Sequence, residues 1–545
     1  MPSARDRETD LATLRAVRAA AQAGSHEQAA ALAQGAIADG LEHPLLFNVL
    51  AIRLEQQGQL SQAQQHLEHA VEIAPADTAA RNALGLLLLR RERPQEALAQ
   101  FEAILGSSAK LPYVHASRGN ALLAMGSIAE AEGSYRRALE LDGNQGIALA
   151  GLAHIAARRG AYPAARQWAE KALAVLPGFP DALMSLTAAD LGERRTERAG
   201  ARVRELLADA RLSPLEHAYA NGLLGDILDA EGKPDEAFAA YSDCNRQLQR
   251  EYAPRFQGEV SALEYVRAMT RYFEGVGPEM WKTPPPATAE PSRARQQVFL
   301  LGFPRSGTTL LEVILEGHPQ VASLEEHELL IHSVNEFMQR PEELERLPRA
   351  APQTIARLRA DYWRLVADYG ADVRGKVFVD KYPLNTLKLP LIARLFPRAK
   401  ILFACRDPRD VVLSCFRHRF RMTAPLYELL TLEGAAHYYD AVMQLLVRLT
   451  GVLTLDICLV RHEDLVSEFA REMKRICEFL DLDWAPAMGD FALRTKSRTV
   501  LTPSTAQLVR GLNTEGLGQW RRYRAQMEPL QSLLEPWVKR FEYEP

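Results

Sequence analysis

Between residues 302 and 309 the chain reads GFPRSGTT, two glycines bracketing an arginine and followed by two hydroxyl side chains. A loop of this kind that opens a helix offers unpaired backbone N–H groups and the positive end of the helix dipole, which together make an anion site. Its length matches the nucleotide-binding pattern G-x-x-x-x-G-K-[ST]. Thr308, however, stands where that pattern has lysine, and the positive charge comes from Arg305 inside the loop. The missing lysine would have reached the β- and γ-phosphates, so an ordinary ATPase is disfavoured and a different phosphate arrangement is indicated. Arg305, Ser306, Gly307, Thr308 and Thr309 are the candidate anion-binding residues of this segment. Two more cations stand in comparable places, Lys381 in KVFVDKYPLN and Arg406 in KILFACRDPRDVVLS, with Ser414 eight positions after the arginine. An acidic pair, Glu325 and Glu326, lies in SLEEHELL, its second glutamate twenty-one positions after Arg305. Three cations suit a polyanion, and a carboxylate beside them could take a proton from a hydroxyl.

The elements around these residues repeat one order. VFLLGF (298–303), KVFVDK (376–381) and AKILFAC (399–405) are largely apolar runs of strand length, and each is followed by a loop and a stretch with helical spacing of apolar residues. Strand-loop-helix units in succession imply a parallel sheet. Ligands in such sheets bind beyond the C-terminal ends of the strands, so Arg305, Lys381 and Arg406 are expected to converge on one crevice. Asp407, Arg409 and Asp410 read equally as charges at a helix N-terminus, and for Arg409 and Asp410 that is the preferred reading.

The chain before this region is periodic. Gly24, Gly58, Gly126 and Gly160 fall on a 34-residue grid with Glu92 on the same grid, and five positions later come Ala29, Ala63, Ala97, Ala131, Ala165 and Ala199. Mostly small residues recur at two further offsets, Val17, Ala51, Gly85, Gly119 and Ala153, and Ala36, Ala70, Ile104, Ala138 and Ala172. Small residues at fixed spacing mark helices that must touch. The next unit, with Gly225, Gly232 and Ala237, follows Ala199 four positions later than the grid requires, which reads as an insertion of four near 205–215. From about 251 to 295 the periodicity fades into WKTPPPATAEPSRARQQ, rich in Pro, Thr and Ala, as expected for a semi-rigid connector. Three regions follow: repeats over 10–250, a helical and Pro-rich linker over 251–295, and an α/β domain over 296–545.

Composition bounds the function. With 545 residues, two or more folded units are expected. A formal net charge of -4 gives no basic field of the kind nucleic-acid binding shows. Five cysteines without CxxC spacing suggest neither a disulfide framework nor a zinc knuckle, and a reducing, cytoplasmic compartment fits. No run of residues is apolar enough for a membrane span, and no HExxH or EF-hand pattern is present, so no metal is expected.

The 34-residue period with its small-residue positions resembles the tetratricopeptide repeat (TPR), a helix-turn-helix unit. It implies an all-α superhelical array of about six to seven units. Such arrays commonly bind peptides or partner proteins on their concave face, and self-association into a homo-oligomer is the other role. The loop PRSGTT resembles the 5'-phosphosulfate loop of the P-loop-like sulfotransferases, which use 3'-phosphoadenosine 5'-phosphosulfate (PAPS), release 3'-phosphoadenosine 5'-phosphate (PAP) and need no metal. RDPRDVVLS resembles the 3'-phosphate motif of the same family, with Arg406 and Ser414 as its ligands. Within the family the motifs are most similar to those of the protein-tyrosine sulfotransferases, whose loop also carries arginine and is followed by paired glutamates. That resemblance implies Glu326 as the base, with Lys381 and Arg305 neutralising the leaving phosphate and Lys381 able to donate a proton. The chain departs from the family at Leu324, where the family has glycine, and at His327-Glu328, where it has Thr-Arg, so a different acceptor pocket is an open expectation and tyrosine as acceptor is left open. Two other readings of the acidic segment stand: a cap on the first turn of a helix, and His327 as the base. The segment 497–523 resembles the family's tail over the nucleotide, with Thr499, Thr502, Ser504, Gln507, Arg510, Trp520 and Arg521 or Arg522 as contributors; Trp520 reads as well as a packing anchor. The implied function is sulfuryl transfer from PAPS to a hydroxyl, including a peptide or protein tyrosine presented by the array. The alternatives are a small-molecule or carbohydrate sulfotransferase, a nucleotide kinase, and a nucleotide-binding scaffold without chemistry.

Overall fold

The structure, a computed structural model, describes residues 7–282, 294–492 and 511–544. Its chain divides into two compact units, one running to Glu193 and the other from Arg194 onward.

The first unit is a succession of helix pairs. First helices begin at Pro44, Thr78, Pro112, Gly146 and Pro180, and second helices at His26, Leu60, Pro94, Ile128 and Tyr162, each exactly one grid period after the one before. The alanines of the grid, from Ala29 to Ala165, are wholly buried. At the second small-residue position the reason is a ring. A Cβ on Gly85 would lie 2.5 Å from Phe101, and one on Gly119 2.5 Å from Tyr135. The turn position is left-handed, with φ from +72 to +86 at Gly24, Gly58, Gly126 and Gly160, and Glu92 (+55) and Arg194 (+61) adopt the same conformation without being glycine. A side chain in that region costs about 1 kcal/mol.

The second unit begins with the last repeat helices and corrects two expectations. The helix Pro214–Ala230 starts one full period after Pro180, so the register is intact through 205–215. The four added residues lie inside that helix, which has 17 residues where Pro180–Gly192 has 13. Four residues make about one helical turn, so the insertion lengthens the helix while nearly preserving its buried face. The segment read as a connector from 251 contains the helix Ala262–Glu274, in which Val266, Met269 and Phe273 are wholly buried in the same core as the sheet. Its helical pattern is real but does not join the repeat grid. Residues 283–293, the Pro-rich part, lie outside the described residues.

The sheet has five parallel strands, β1 (Gln296–Gly302), β2 (Val321–Glu325), β3 (Val377–Lys381), β4 (Lys400–Cys405) and β5 (Asp456–Arg461), in the order β2-β3-β1-β4-β5. Alternate residues feed two cores. Phe299, Leu301, Phe378, Ile401 and Phe403 face one, and Val298, Leu300, Val377, Val379 and Leu402 face the other. Burial on both faces explains why these strands read as continuous apolar runs.

Candidate active site

All five strands end at one edge of the sheet. Read across it, the tips carry Glu326 after β2, Lys381 at the end of β3, the 303–307 loop with Arg305 after β1, Arg406 after β4 and His462 after β5.

The loop is closed by Ser306, whose N–H donates to the carbonyl of Phe303 at 3.1 Å, and it turns into the helix Thr308–Leu315 at Gly307. Gly307 has φ +94, and a Cβ there would meet His462 Nδ1 at 2.5 Å, so both conformation and space require glycine. Ser306, Thr308 and Thr309 are buried. Arg305 is itself left-handed, φ +70, which turns its guanidinium toward the helix Pro408–Phe416, where its Nε donates to Ser414 Oγ at 3.1 Å. Arg406 donates from Nη1 to the carbonyl of Arg305 at 3.4 Å and from Nη2 to the carbonyl of Gly516. Burial and the neighbouring Arg406 push the Arg305 guanidinium down to about 10. Burial, Arg406 and Arg305 push His462 down to about 3, so its imidazole is neutral. This corner therefore concentrates positive charge against a loop of backbone N–H groups.

The other half of the edge is an ion-pair cluster. Lys381 is wholly buried, with Nζ 2.8 Å from Glu326 Oε1 and 3.5 Å from Glu312 Oε2. Burial alone would lower its pKa, but Glu312, Glu326 and Glu325 more than offset this and hold the ammonium above the ordinary lysine range. Held in this way, the ammonium keeps its charge beside Glu326 and Glu312. Glu326 has φ +44, its N–H donates to the carbonyl of Lys381 at 2.8 Å, and its side chain is 49% exposed. The carboxylate that pairs with Lys381 thus also reaches the open side of the edge.

The acidic segment does not cap a helix. The following helix, Ile331–Phe337, has Leu330 as its N-cap with no side-chain bond, and Glu328 instead pairs with Lys388 at 2.6 Å. His327 stacks on Tyr369 with ring centroids 3.8 Å apart, and burial followed by the charge of Lys381 lowers its pKa. Asp407 and Asp410 serve the fold. Asp407 caps its helix and pairs with Arg409 at 2.8 Å, while Asp410 accepts the N–H groups of Gly518 (2.7 Å) and Trp520 (2.9 Å). Trp520 is buried beneath the Arg409 guanidinium, 4.0 Å from its ring centroid, which makes it a packing anchor. Arg522 pairs with Asp229 at 3.0 Å and Arg521 with Glu544 at 3.7 Å. Thr499, Thr502, Ser504, Gln507 and Arg510 lie outside the described residues.

Sequence reasoning missed two members of this edge. Glu312 is an acid within an otherwise apolar helix, LLEVIL, and that mismatch was the available signal. His462 opens HEDL after the last strand, a further strand-to-helix turn.

Family models match the chain twice, one for the sulfotransferase family over residues 297–486 and one for the tetratricopeptide repeat over 48–112 and 117–182. This chain carries tetratricopeptide repeats and a sulfotransferase-family domain. Protein-tyrosine sulfotransferase A of Caenorhabditis elegans is 26% identical over 242 residues, 42% of this chain and 62% of that protein. Protein-tyrosine sulfotransferase 2 of Gallus gallus is 25% identical over 246 residues, 42% of this chain and 64% of that protein. An uncharacterized protein of Aquifex aeolicus (strain VF5) is 26% identical over 256 residues, 46% of this chain and 33% of its own length. The chain thus spans between a third and just under two thirds of the length of these relatives. The sulfotransferase domain contains all five strand tips. Among the described residues no cluster of His, Cys, Asp and Glu could hold a metal ion, and no helix is long and apolar enough to cross a membrane.

The residues of the edge fit an anionic group such as a phosphate on chemical grounds. Arg406 Nε and His462 Nδ1 are buried without a hydrogen-bond partner, and the cations Arg305 and Arg406 crowd each other. An anion would answer both.

Proposed function

We propose that the sulfotransferase domain moves a sulfuryl group from PAPS to the hydroxyl of an acceptor, a peptide or protein tyrosine among the acceptor classes. PAPS supplies an activated sulfuryl group on a nucleotide that leaves as PAP. Arg305, the N–H groups of Ser306, Gly307, Thr308 and Thr309, and the pair Arg406 and Ser414 hold its phosphates. Glu326 takes the acceptor proton. Lys381 and Arg305 offset the negative charge that develops on the leaving side, in fixed positions that need no reorganisation. No metal is required in this reading, because the cations are the protein's own.

One observation carries the reading: adjacent strand tips bear an accessible carboxylate, a buried ammonium, an anion loop and an arginine, in that order. That is the set a proton-abstracting transfer from a phosphate leaving group uses. The second acceptor class, a carbohydrate or small molecule, rests on the departure from the tyrosine-specific motif after Glu326, where His327 and Glu328 replace Thr-Arg and are tied to Tyr369 and Lys388.

The test is transfer of label from sulfur-labelled PAPS by the full chain to tyrosine peptides, proteins and sugars, with products identified by mass spectrometry. Label on a hydroxyl of either class is expected. Phosphorylation from ATP, or failure to bind PAP, would overturn the proposal. The repeat array adds binding area for a protein acceptor whose local motif is weak. Removing residues 1–193 should then lower kcat/KM for a protein acceptor by about tenfold or more and leave a short peptide unaffected.

A further inference from the structure

Lys381 has two carboxylate neighbours of opposite accessibility. Glu326, after β2, is 49% exposed; Glu312, in the helix that follows the anion loop, is wholly buried, as is Lys381 between them. The sulfuryl-transfer reading gives Glu326 a task that conflicts with its pairing. When it takes a proton from the acceptor hydroxyl, its charge is cancelled, and it no longer balances an ammonium that has no access to water. A buried ammonium without a counter-charge loses its proton. Glu312 cannot reach an acceptor, because none of its side chain is exposed, and it sits 3.5 Å from Lys381 Nζ.

Resting on that reading, we propose that Glu312 is a positioning residue, the permanent counter-ion that keeps Lys381 charged and at the strand tip while the proton taken from the acceptor cancels the charge of Glu326. The two carboxylates divide the work by exposure: one exchanges a proton, the other keeps its charge. The charged and titratable groups facing Lys381 are Glu312 from the helix Thr308–Leu315, Glu325 and Glu326 from the end of β2, and His327 from the loop after it. Arg305 feels the charge of Glu326. Glu312 makes the largest single charge–charge contribution to holding the ammonium, while Glu326, the nearer carboxylate, adds a charge contribution and a hydrogen bond.

The experiment reads the proton on Lys381 directly and needs no turnover. The chain has eleven lysines, so the full-length protein labelled with 13C at lysine Cε gives a tractable spectrum, and the Lys381 signal is the one lost in Lys381→Arg. Glu326→Gln imitates the base after it has taken its proton. Lys381 should stay protonated in that variant to about pH 9. In the double variant Glu312→Gln/Glu326→Gln its midpoint should fall by about two pH units or more. In turnover assays Glu312→Gln should move the alkaline limb of the kcat profile about one pH unit toward neutral, with both KM values within about threefold and partial recovery in Glu312→Asp. If Glu312→Gln does not fold, the aspartate variant carries the same titration, its carboxylate one methylene farther away. Loss of the Lys381 proton near neutrality in Glu326→Gln alone overturns the proposal. So does a double variant that titrates like the single one, or a kcat reduced by one factor at every pH. Absence of sulfate transfer by the unaltered chain, with the lysine titration as expected, refutes the enzymatic reading while the counter-ion assignment stands.

Discussion

Glu92 and Arg194 at the repeat turns, and Arg305 and Glu326 at the sheet edge, hold the same kind of left-handed backbone, with φ between +44 and +70. The two regions use it for different ends. On the repeat grid the neighbouring units have glycine, so conformation is what the turn requires. At the sheet edge the conformation aims a guanidinium at Ser414 and a carboxylate at Lys381. Strain at a functional site is kept because the side chain it directs is needed.

Glycine substitution separates the two cases. Arg305→Gly and Glu326→Gly relieve the backbone but remove the side chain, so sulfate transfer should fall by about 10²–10⁴ while the melting temperature holds or rises. An active glycine variant would erase the distinction. A second contrast concerns buried carboxyls on β3 and its neighbours, since Glu312 has Lys381 as partner and Asp380 is held by hydrogen bonds, the nearer from Tyr362 OH at 2.8 Å. Burial raises Asp380 to about 7, with the Tyr362 bond opposing. Its folded value lies above its unfolded one, so its stabilising contribution is full below about pH 4 and is lost as pH rises through about 7. Asp380→Asn should remove that loss, on the order of a few kcal/mol, and unfolding curves at pH 5 and pH 8 should lie closer together than in the parent chain. Gly307→Ala joins strain to a collision with His462 and should cost about 1–3 kcal/mol in thermal unfolding, together with weaker PAP binding by calorimetry. The smallest effect belongs to the repeats. Glu92→Gly and Arg194→Gly should each raise stability by about 1 kcal/mol, a few degrees at most, without changing turnover. A fall in melting temperature would show that the side chains matter there too.

The same contrast explains what could be read from the residues alone. The array was legible because its errors average out: a period seen five times survives Glu92 in place of glycine. The extra turn in Pro214–Ala230 was detected as a slip but misplaced, because four residues added within a helix disturb its pattern very little. The sheet edge was legible where an apolar run ended in a cation, as at Lys381 and Arg406. It failed at His462, since β5 lies at the margin of the sheet and exposes Leu459, which interrupts the apolar signal. Glu312 was hidden for another reason. Sequence shows that an acid lies in a helix but not which way it faces, and only the sheet order brings it to Lys381.

The lengthened helix Pro214–Ala230 has a bearing on how such chains can be rearranged. Its Asp229 pairs with Arg417 at 2.6 Å and accepts from Tyr523 OH at 2.6 Å, and its Asp226 pairs with Arg419. Phe238 of the following helix stacks on Phe416, two residues past Ser414. Recombination that swapped one array for another at the last repeat would leave these arginines without acids, a loss of several kcal/mol for ions shielded from water. A fusion seam that spares these pairs lies before Pro214, one helical hairpin earlier than the end of the repeats.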